Sequence, residues 1–181
     1  MNAETAAAGR TNPGPGEKGP GGDGRGHLPV WPPIAGLVLT VTGIAVAAYL
    51  TYAHYTSASS LACPDSGLIN CEKVTTSSYS HIFGVPVAVL GLSFFLGMLP
   101  LQLPGAWRCT WAPVRIGRLG ATAAGVGLVF WLLYAELFRI DAVCLYCTAV
   151  HVVTVLLFIT TALGTVSTGV YAEDGVPADH A

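Results

Sequence analysis

Four of the five cysteines in this 181-residue chain form two pairs whose spacing suits thiol–disulfide exchange. Cys144 and Cys147 make a C-x-x-C motif, whereas Cys63 and Cys71 are separated by seven residues. At the start of a helix, the C-x-x-C motif would place both sulfurs on one face, close to partial positive charge that stabilises a thiolate. A lowered thiol pKa supplies more of the nucleophile that disulfide exchange uses. The cysteine pattern therefore indicates redox chemistry.

The elements that must position these cysteines are apolar helices. The chain is 52% hydrophobic and only 10% charged, with a mean hydropathy of +0.60. Each of four apolar segments reaches the ~20 residues that cross a ~30 Å hydrocarbon core, where only a helix satisfies the backbone of a single segment. The sequence predicts an all-α membrane protein, a four-transmembrane-helix bundle whose helices lie at about 33–55, 84–101, 114–138 and 143–165.

The domain organisation follows from the flanks of these segments. Residues 1–32 are rich in glycine, proline and alanine, which predicts a disordered tail because little apolar surface offsets the entropy of ordering it. It is not a secretory signal, because the apolar run that follows is too long. Residues 33–166 form the predicted four-helix transmembrane redox domain, and residues 167–181 a second short tail.

The placement of lysine and arginine predicts the orientation of the chain in the membrane. Six of the eight basic residues lie in the N-terminal tail or around the 102–113 loop, which places both of these and the C-terminus in the cytoplasm. The 57–83 and 139–143 loops then face outward. All four paired cysteines therefore meet at the outer end of the bundle, whereas Cys109 is cytoplasmic, where thiols are usually kept reduced. The net charge of −2 and the absence of a dense basic stretch argue against nucleic acid as a partner.

The 57–83 loop is predicted to carry a short helix. Asp65 or Ser66 is a suitable N-cap, and Leu68, Ile69 and Val74 would share its apolar side. Such a helix would lie along the membrane surface as an outer lid over the mouth of the bundle. A mobile pair on this loop, Cys63 and Cys71, would then reach both a soluble partner and the embedded pair.

Two other interpretations of the cysteines stay open at this point. Two static disulfides would make the protein a disulfide-stabilised membrane scaffold without turnover. Four thiolates would make it a zinc-binding module, although the C-x7-C spacing is unlike that of short zinc knuckles.

Several motifs occur together and in a fixed order along about 110 residues: Cys63-x7-Cys71, Cys71-Glu72-Lys73-Val74, Ser77, Phe83-Gly84-Val85-Pro86 and Cys144-x-x-Cys147-Thr148. Together they resemble the vitamin K epoxide reductase family, and the resemblance is greatest to its bacterial branch. This family is also favoured over the DsbB type of disulfide generator, because the C-x-x-C motif heads the last helix.

The resemblance implies a function and a membrane. Bacterial members oxidise an extracytoplasmic thioredoxin-like protein and reduce a membrane quinone of the menaquinone or ubiquinone type, which supports disulfide-bond formation in exported proteins. By position, Cys144 and Cys147 resemble the active-site pair, with Cys147 nearest the quinone. Cys63 and Cys71 resemble the shuttle pair, with Cys71 exchanging with Cys144. The resemblance also implies a multi-pass protein of the cytoplasmic membrane, and no metal.

Other residues are expected at the quinone site. Ser77 occupies the position of a loop serine or threonine that the family uses near the quinone, and Phe83 is expected to wall the site. His151 lies one turn deeper than Cys147 on the same helix face, where an imidazole can exchange a proton with the quinone. Its alternative role is that of a hydrogen-bonded bundle histidine. Because the vertebrate branch has tyrosine there, His151 argues against vitamin K epoxide as the substrate.

Glu136 lies near the outer end of the third predicted helix. An ionisable residue at membrane depth is a candidate functional group, and the alternative is a pair with Arg139 that reaches the interface.

Overall fold

A computed structural model describes residues 30–56, 61, 63, 67–109 and 111–173, with side chains as far as residue 166. Of the tail predicted at residues 1–32, residues 1–29 lie outside this part of the chain. Asp65, Ser66 and residues 174–181 also lie outside it.

The described chain is mostly helical. Its elements in order are α1 (Trp31–Thr56), α2 (Cys71–Thr75), a 3₁₀ turn (Ser78–Ser80), β1 (His81–Ile82), β2 (Val85–Pro86), α3 (Val87–Gln102), α4 (Pro104–Arg108), α5 (Ala112–Ala135), a π turn (Glu136–Ile140) and α6 (Leu145–Glu173).

Three helical stretches are long and apolar enough to cross a membrane within the described part of the chain. They are Trp31–Thr56, Ala112–Ile140 and Leu145–Val166. The other long apolar helix, α3, has 16 residues and is therefore about 24 Å long, less than a ~30 Å hydrocarbon core. The chain thus has the build of a multi-pass membrane protein, and α3 is shorter than the predicted second span.

A tight hairpin explains why α3 begins later than predicted. Strands β1 and β2 are antiparallel, with His81 opposite Pro86 and Ile82 opposite Val85. The two residues between the strands, Phe83 and Gly84, both have positive φ, at 52° and 79°. This is the backbone of a two-residue turn of the I′ type, which matches the twist of the strands. The helix therefore starts at Val87, and Pro86 is its N-cap residue.

A π turn shapes the end of the third long helix. The regular helix ends at Ala135, and the wider turn Glu136–Ile140 continues it by five residues. Asp141 then adopts a left-handed conformation, with φ of 52°, and ends the helix. The Glu136 carbonyl accepts a hydrogen bond from the Ala142 N–H at 3.3 Å.

The last helix runs past its predicted end. The backbone of α6 is helical as far as Glu173, so the helix continues past the predicted end at about residue 165 into residues 167–173.

The helices pack closely where glycines face large side chains. Helix α1 packs against α3 and α6, and α6 packs against α5. A Cβ atom on Gly43 of α1 would overlap the ring of Phe95 on α3, so only glycine admits this contact. Phe95 is fully buried in an apolar core with Ala47, Met98, Val153 and Leu157.

The end of the bundle remote from Cys144 is joined by polar contacts. Trp107 Nε1 on α4 donates to Gln102 Oε1 at 3.1 Å, and Gln102 Nε2 donates to Thr161 Oγ1 on α6 at 3.3 Å. The buried Arg118 of α5 lies over the Trp107 ring, 3.5 Å from its centroid. These contacts connect α3, α4, α5 and α6.

Replacing Gly43 with alanine is expected to lower the free energy of unfolding by about 1–3 kcal/mol, because the added methyl group forces the Phe95 ring to move. Gly97→Ala on α3 is the matched control, since no atom lies within 4 Å of the Cβ it would add. Denaturation of both variants in detergent micelles measures the difference. Equal stabilities would show that the α1–α3 contact is not close.

Candidate active site

Two backbone hydrogen bonds join the 57–83 loop to the segment before the C-x-x-C motif. The Val143 N–H donates to the Leu68 carbonyl at 2.8 Å, and the Asn70 N–H donates to the Val143 carbonyl at 3.2 Å. Ile69 and Val143 thus form an isolated parallel bridge. The residues directly before Cys71 and the residue directly before Cys144 are far apart in sequence, and this bridge holds them side by side.

The bridge determines where the loop helix begins. Because Leu68 and Asn70, on the two sides of Ile69, are hydrogen-bonded to the backbone of Val143, the helix does not include Leu68 and Ile69 as predicted. Helix α2 instead starts at Cys71, and its N-cap is Asn70, whose side-chain oxygen accepts from the Lys73 N–H at 2.8 Å. The predicted helix position and N-cap are therefore wrong, although a short helix does form on this loop.

All four paired cysteines lie in one apolar cluster. Cys71 and Cys144 are 2% and 0% exposed, and Cys63 and Cys147 pack against the same cluster. Cys63 and Cys71 form a disulfide, with their Cα atoms 6.1 Å apart, whereas Cys144 and Cys147 are free thiols. Cys109 is exposed and follows α4. The structure thus brings together the two pairs that the sequence singled out.

Cys144 directly precedes the first residue of α6 and so occupies the N-cap position. Its sulfur accepts a hydrogen bond from the Cys147 N–H at 3.3 Å, as the side-chain oxygen of a capping residue does. The Cys147 side chain first, and then this backbone N–H, lower the pKa of the Cys144 thiol against the opposing effect of burial. A thiol of lowered pKa is a better leaving group in disulfide exchange.

A cavity of about 460 Å³ adjoins the cysteine cluster. Its walls are mainly apolar residues of α1, α3, α5 and α6, and the 57–83 loop closes part of it. The polar or ionisable residues along it are His54, Thr75, Ser77, Tyr79, Ser80, Glu136, Cys147, His151 and Thr154. Cys147 is the one cysteine of the four that lines the cavity, so it connects the redox pairs to this space.

The predicted quinone-site residues do not all reach the cavity. Ser77 and His151 line it, and the Ser77 hydroxyl donates to the Val74 carbonyl at 2.8 Å. Phe83 does not: it is fully exposed at the tip of the β1–β2 turn, because the positive φ of the turn residues directs its side chain away from the protein. The expectation that Phe83 walls the site is therefore corrected.

His151 lies within the bundle at 5% exposure, and its Nδ1 atom has no hydrogen-bond partner in the described part of the chain. The alternative of a bundle histidine held by hydrogen bonds therefore has no support at this nitrogen. His151 instead presents a polar atom beside an apolar cavity, one turn from Cys147.

Arg139 does not pair with Glu136. Its Nε atom donates to the Tyr79 hydroxyl at 2.8 Å, which connects the π turn to the 57–83 loop. Glu136 is 3% exposed and faces the cavity, and its Oε2 atom has no partner among the described residues. The predicted Glu136–Arg139 pair is therefore wrong.

Sequence reasoning missed two cavity residues. His54 lines the cavity, and its ring lies 5.3 Å from that of His81. Thr154 also lines it. Helical spacing could have identified both residues, because His54 shares a helix face with Ala47 and Leu50, and Thr154 shares one with Cys147.

Among the described residues, which include both cysteine pairs, no group of three or more histidine, cysteine or carboxylate side chains is arranged to hold a metal ion. The geometry thus gives the zinc interpretation no support.

A sequence model of the vitamin K epoxide reductase family matches residues 34–162 of the chain. The match covers more than half of the sequence and includes all four clustered cysteines, so the chain belongs to this family.

The hydrogen bonds to Cys144 lead to a prediction about its ionisation. Cys147→Ala removes a side-chain donor and is expected to raise the pKa of Cys144, whereas Cys147→Ser keeps a donor and should raise it less. The rate of Cys144 alkylation by a small reagent as a function of pH, in a Cys109→Ser background, measures both. Identical pH profiles in the two variants would contradict this account.

Proposed function

We propose that this member of the vitamin K epoxide reductase family oxidises an extracytoplasmic thioredoxin-like protein and reduces a membrane quinone, thereby supporting disulfide-bond formation in exported proteins. Family membership implies a membrane thiol–disulfide oxidoreductase. The observation that carries the finer proposal is that two cysteine pairs share one apolar cluster and that one residue of this cluster, Cys147, lines an apolar cavity.

Electrons enter at the Cys63–Cys71 disulfide. A thiolate of the partner attacks Cys63, forms a mixed disulfide with it and releases Cys71; a second partner thiol then closes the partner's own disulfide and leaves Cys63 reduced. This order is supported by burial, because Cys63 is partly exposed whereas Cys71 is not. The partner has thereby lost two electrons and two protons, and the loop pair has gained them.

The embedded pair receives these electrons next. With Cys144 and Cys147 oxidised, the Cys71 thiolate attacks Cys144 and expels Cys147 as a thiolate. Cys63 then attacks Cys71, which restores the loop disulfide and releases Cys144. The lowered pKa of Cys144 favours this last step, because a more acidic thiol leaves faster.

The cavity suits a quinone as the electron acceptor. Its volume of about 460 Å³ and its mostly apolar walls fit a hydrophobic ring, and its few polar groups lie near Cys147. A quinone of the menaquinone or ubiquinone type would receive the electron pair of the Cys144–Cys147 dithiol. We assign the ring-binding contacts to Ser77 and His151, whose polar atoms line the cavity.

We further propose that α3 is the fourth membrane span and that the cysteine cluster faces outward, with both termini in the cytoplasm. Although α3 is short, it fits this arrangement, because the β1–β2 hairpin precedes it and α4 follows it, and both continue the chain at the ends of the span. Helix α2 then serves as a lid, since Val74 and Thr75 close part of the cavity. The basic residues at the opposite end, including Arg108 and Arg118, agree with this orientation.

A static disulfide scaffold is the rival function. A static scaffold does not explain why the Cys144 sulfur caps α6 and has a lowered thiol pKa, or why Cys147 lines a cavity. The relay accounts for both features.

The purified protein, supplied with dithiothreitol as the dithiol donor and a water-soluble quinone, is expected to form quinol catalytically. Cys147→Ala should abolish turnover, because no sulfur would then face the cavity, whereas Cys109→Ser should leave it unchanged. Absorbance of the quinone follows the reaction. Normal turnover by Cys147→Ala, or none by the unsubstituted protein, would exclude the proposed relay.

A further inference from the structure

Glu136 is a buried carboxyl group that the disulfide relay does not use. It is 3% exposed and lines the same cavity as Cys147 and His151. Its Oε2 atom has no hydrogen-bond partner within the described residues, and the nearby Arg139 bonds Tyr79 instead. A carboxylate kept from water without a partner is costly, so a residue of this kind at membrane depth requires a functional reason.

The backbone at Glu136 supports the same view. Glu136 is the first residue of the π turn, where the third long helix departs from regular α geometry. Such turns occur frequently at functional sites, because the extra residue changes where the following side chains point. Here the wider turn lies at the level of the C-x-x-C motif, beside the cysteine cluster that includes Ile140 and Cys144.

The surroundings of Glu136 hold several other titratable groups. Helix α1 contributes His54 to the cavity, the 57–83 loop contributes Tyr79, and α6 contributes Cys147 and His151, whereas α3 contributes only apolar residues. Cys144 is also within electrostatic range of Glu136. Within the described cavity wall, Glu136 is therefore the one carboxyl group among thiols, imidazoles and a phenol.

We propose that Glu136 is the proton-transfer residue of quinone reduction. It takes protons from the Cys144–Cys147 dithiol and delivers them to the quinone oxygens, an inference that rests on the proposed function. No other role in the structure uses its unpaired oxygen.

The proposed transfer balances. Two S–H bonds break and one S–S bond forms between Cys144 and Cys147, which releases two electrons and two protons. The electron pair passes from the Cys147 sulfur to the quinone, where two O–H bonds form. Glu136 gives its proton to a quinone oxygen and takes one from a thiol in its place, then repeats the step with the second, so it ends in its starting, protonated state and no other reactant is required.

Three variants test this role. Glu136→Gln keeps the size of the side chain but cannot carry an acid proton, and it is expected to slow quinol formation on the order of 100-fold or more. Glu136→Asp keeps the acid and should retain a larger part of the rate. Asp141→Asn is the matched control, because this exposed carboxyl group lies five residues on and asparagine tolerates its left-handed backbone.

Two readouts do not depend on quinone turnover. Without quinone, reduction of the Cys144–Cys147 disulfide by dithiothreitol, followed by alkylation and mass spectrometry, should proceed at the same rate in Glu136→Gln as in the unsubstituted protein, which also shows that the variant is folded. The infrared spectrum of the quinone-free protein should contain a protonated-carboxyl band that disappears in Glu136→Gln and persists in Asp141→Asn.

The outcomes separate the two proposals. If the unsubstituted protein forms no quinol, the proposed function fails. If it forms quinol and Glu136→Gln matches it in rate and pH profile, the role of Glu136 is excluded while the relay stands. An infrared spectrum unchanged by Glu136→Gln would also overturn the inference, because the residue would then hold no proton to transfer. Slow quinol formation together with normal disulfide reduction and loss of the band is the expected result.

Discussion

The pairing of Val143 with the backbone around Ile69 is the contact on which the rest of the site depends. Its two hydrogen bonds are ordinary backbone bonds, each worth about 0.5–1.5 kcal/mol in net stability. Their position gives them their importance, because each strand of the bridge leads directly into a cysteine. Closing the long chain segment between Ile69 and Val143 costs entropy, and the packing of α1, α3, α5 and α6 offsets this cost.

The bundle combines close packing with a cavity. Membrane helices associate through close packing, and contacts such as Gly43 against Phe95 provide it in the middle of the protein. Beside the cysteine cluster, the same helices line a cavity of about 460 Å³ whose walls are mainly apolar. An apolar cavity with a few polar groups is the usual form of a small-molecule site, and this one lies next to a thiol pair.

The sequence was sufficient for the two cysteine pairs and for the rough position of each long helix. Cysteine spacing identified the two pairs, and the helical position of Cys147 relative to His151 placed both on the cavity face. Hydropathy also located all four long apolar helices to within a few residues at most ends. These features are local, so composition and periodicity contain them.

Features that depend on contacts between distant segments could not be found in this way. The start of α2 depends on Val143, which lies about seventy residues away, so a capping pattern near Asp65 gave the wrong helix. The Phe83–Gly84 turn is hidden in an apolar run, and its positive φ values move Phe83 out of the site. Arg139 bonds Tyr79 across the same kind of distance and leaves Glu136 facing the cavity.

The central claim is that electrons pass between the loop pair and the embedded pair through Cys71 and Cys144. The most direct measurement uses a chain in which Cys63 and Cys147 are alanine and Cys109 is serine, so that only Cys71 and Cys144 remain. Mild oxidation should produce a Cys71–Cys144 disulfide, detected as a cross-linked peptide by mass spectrometry. Val143→Pro, which removes the N–H that bonds Leu68, should reduce its yield. Two free thiols that are alkylated independently after oxidation would contradict the account.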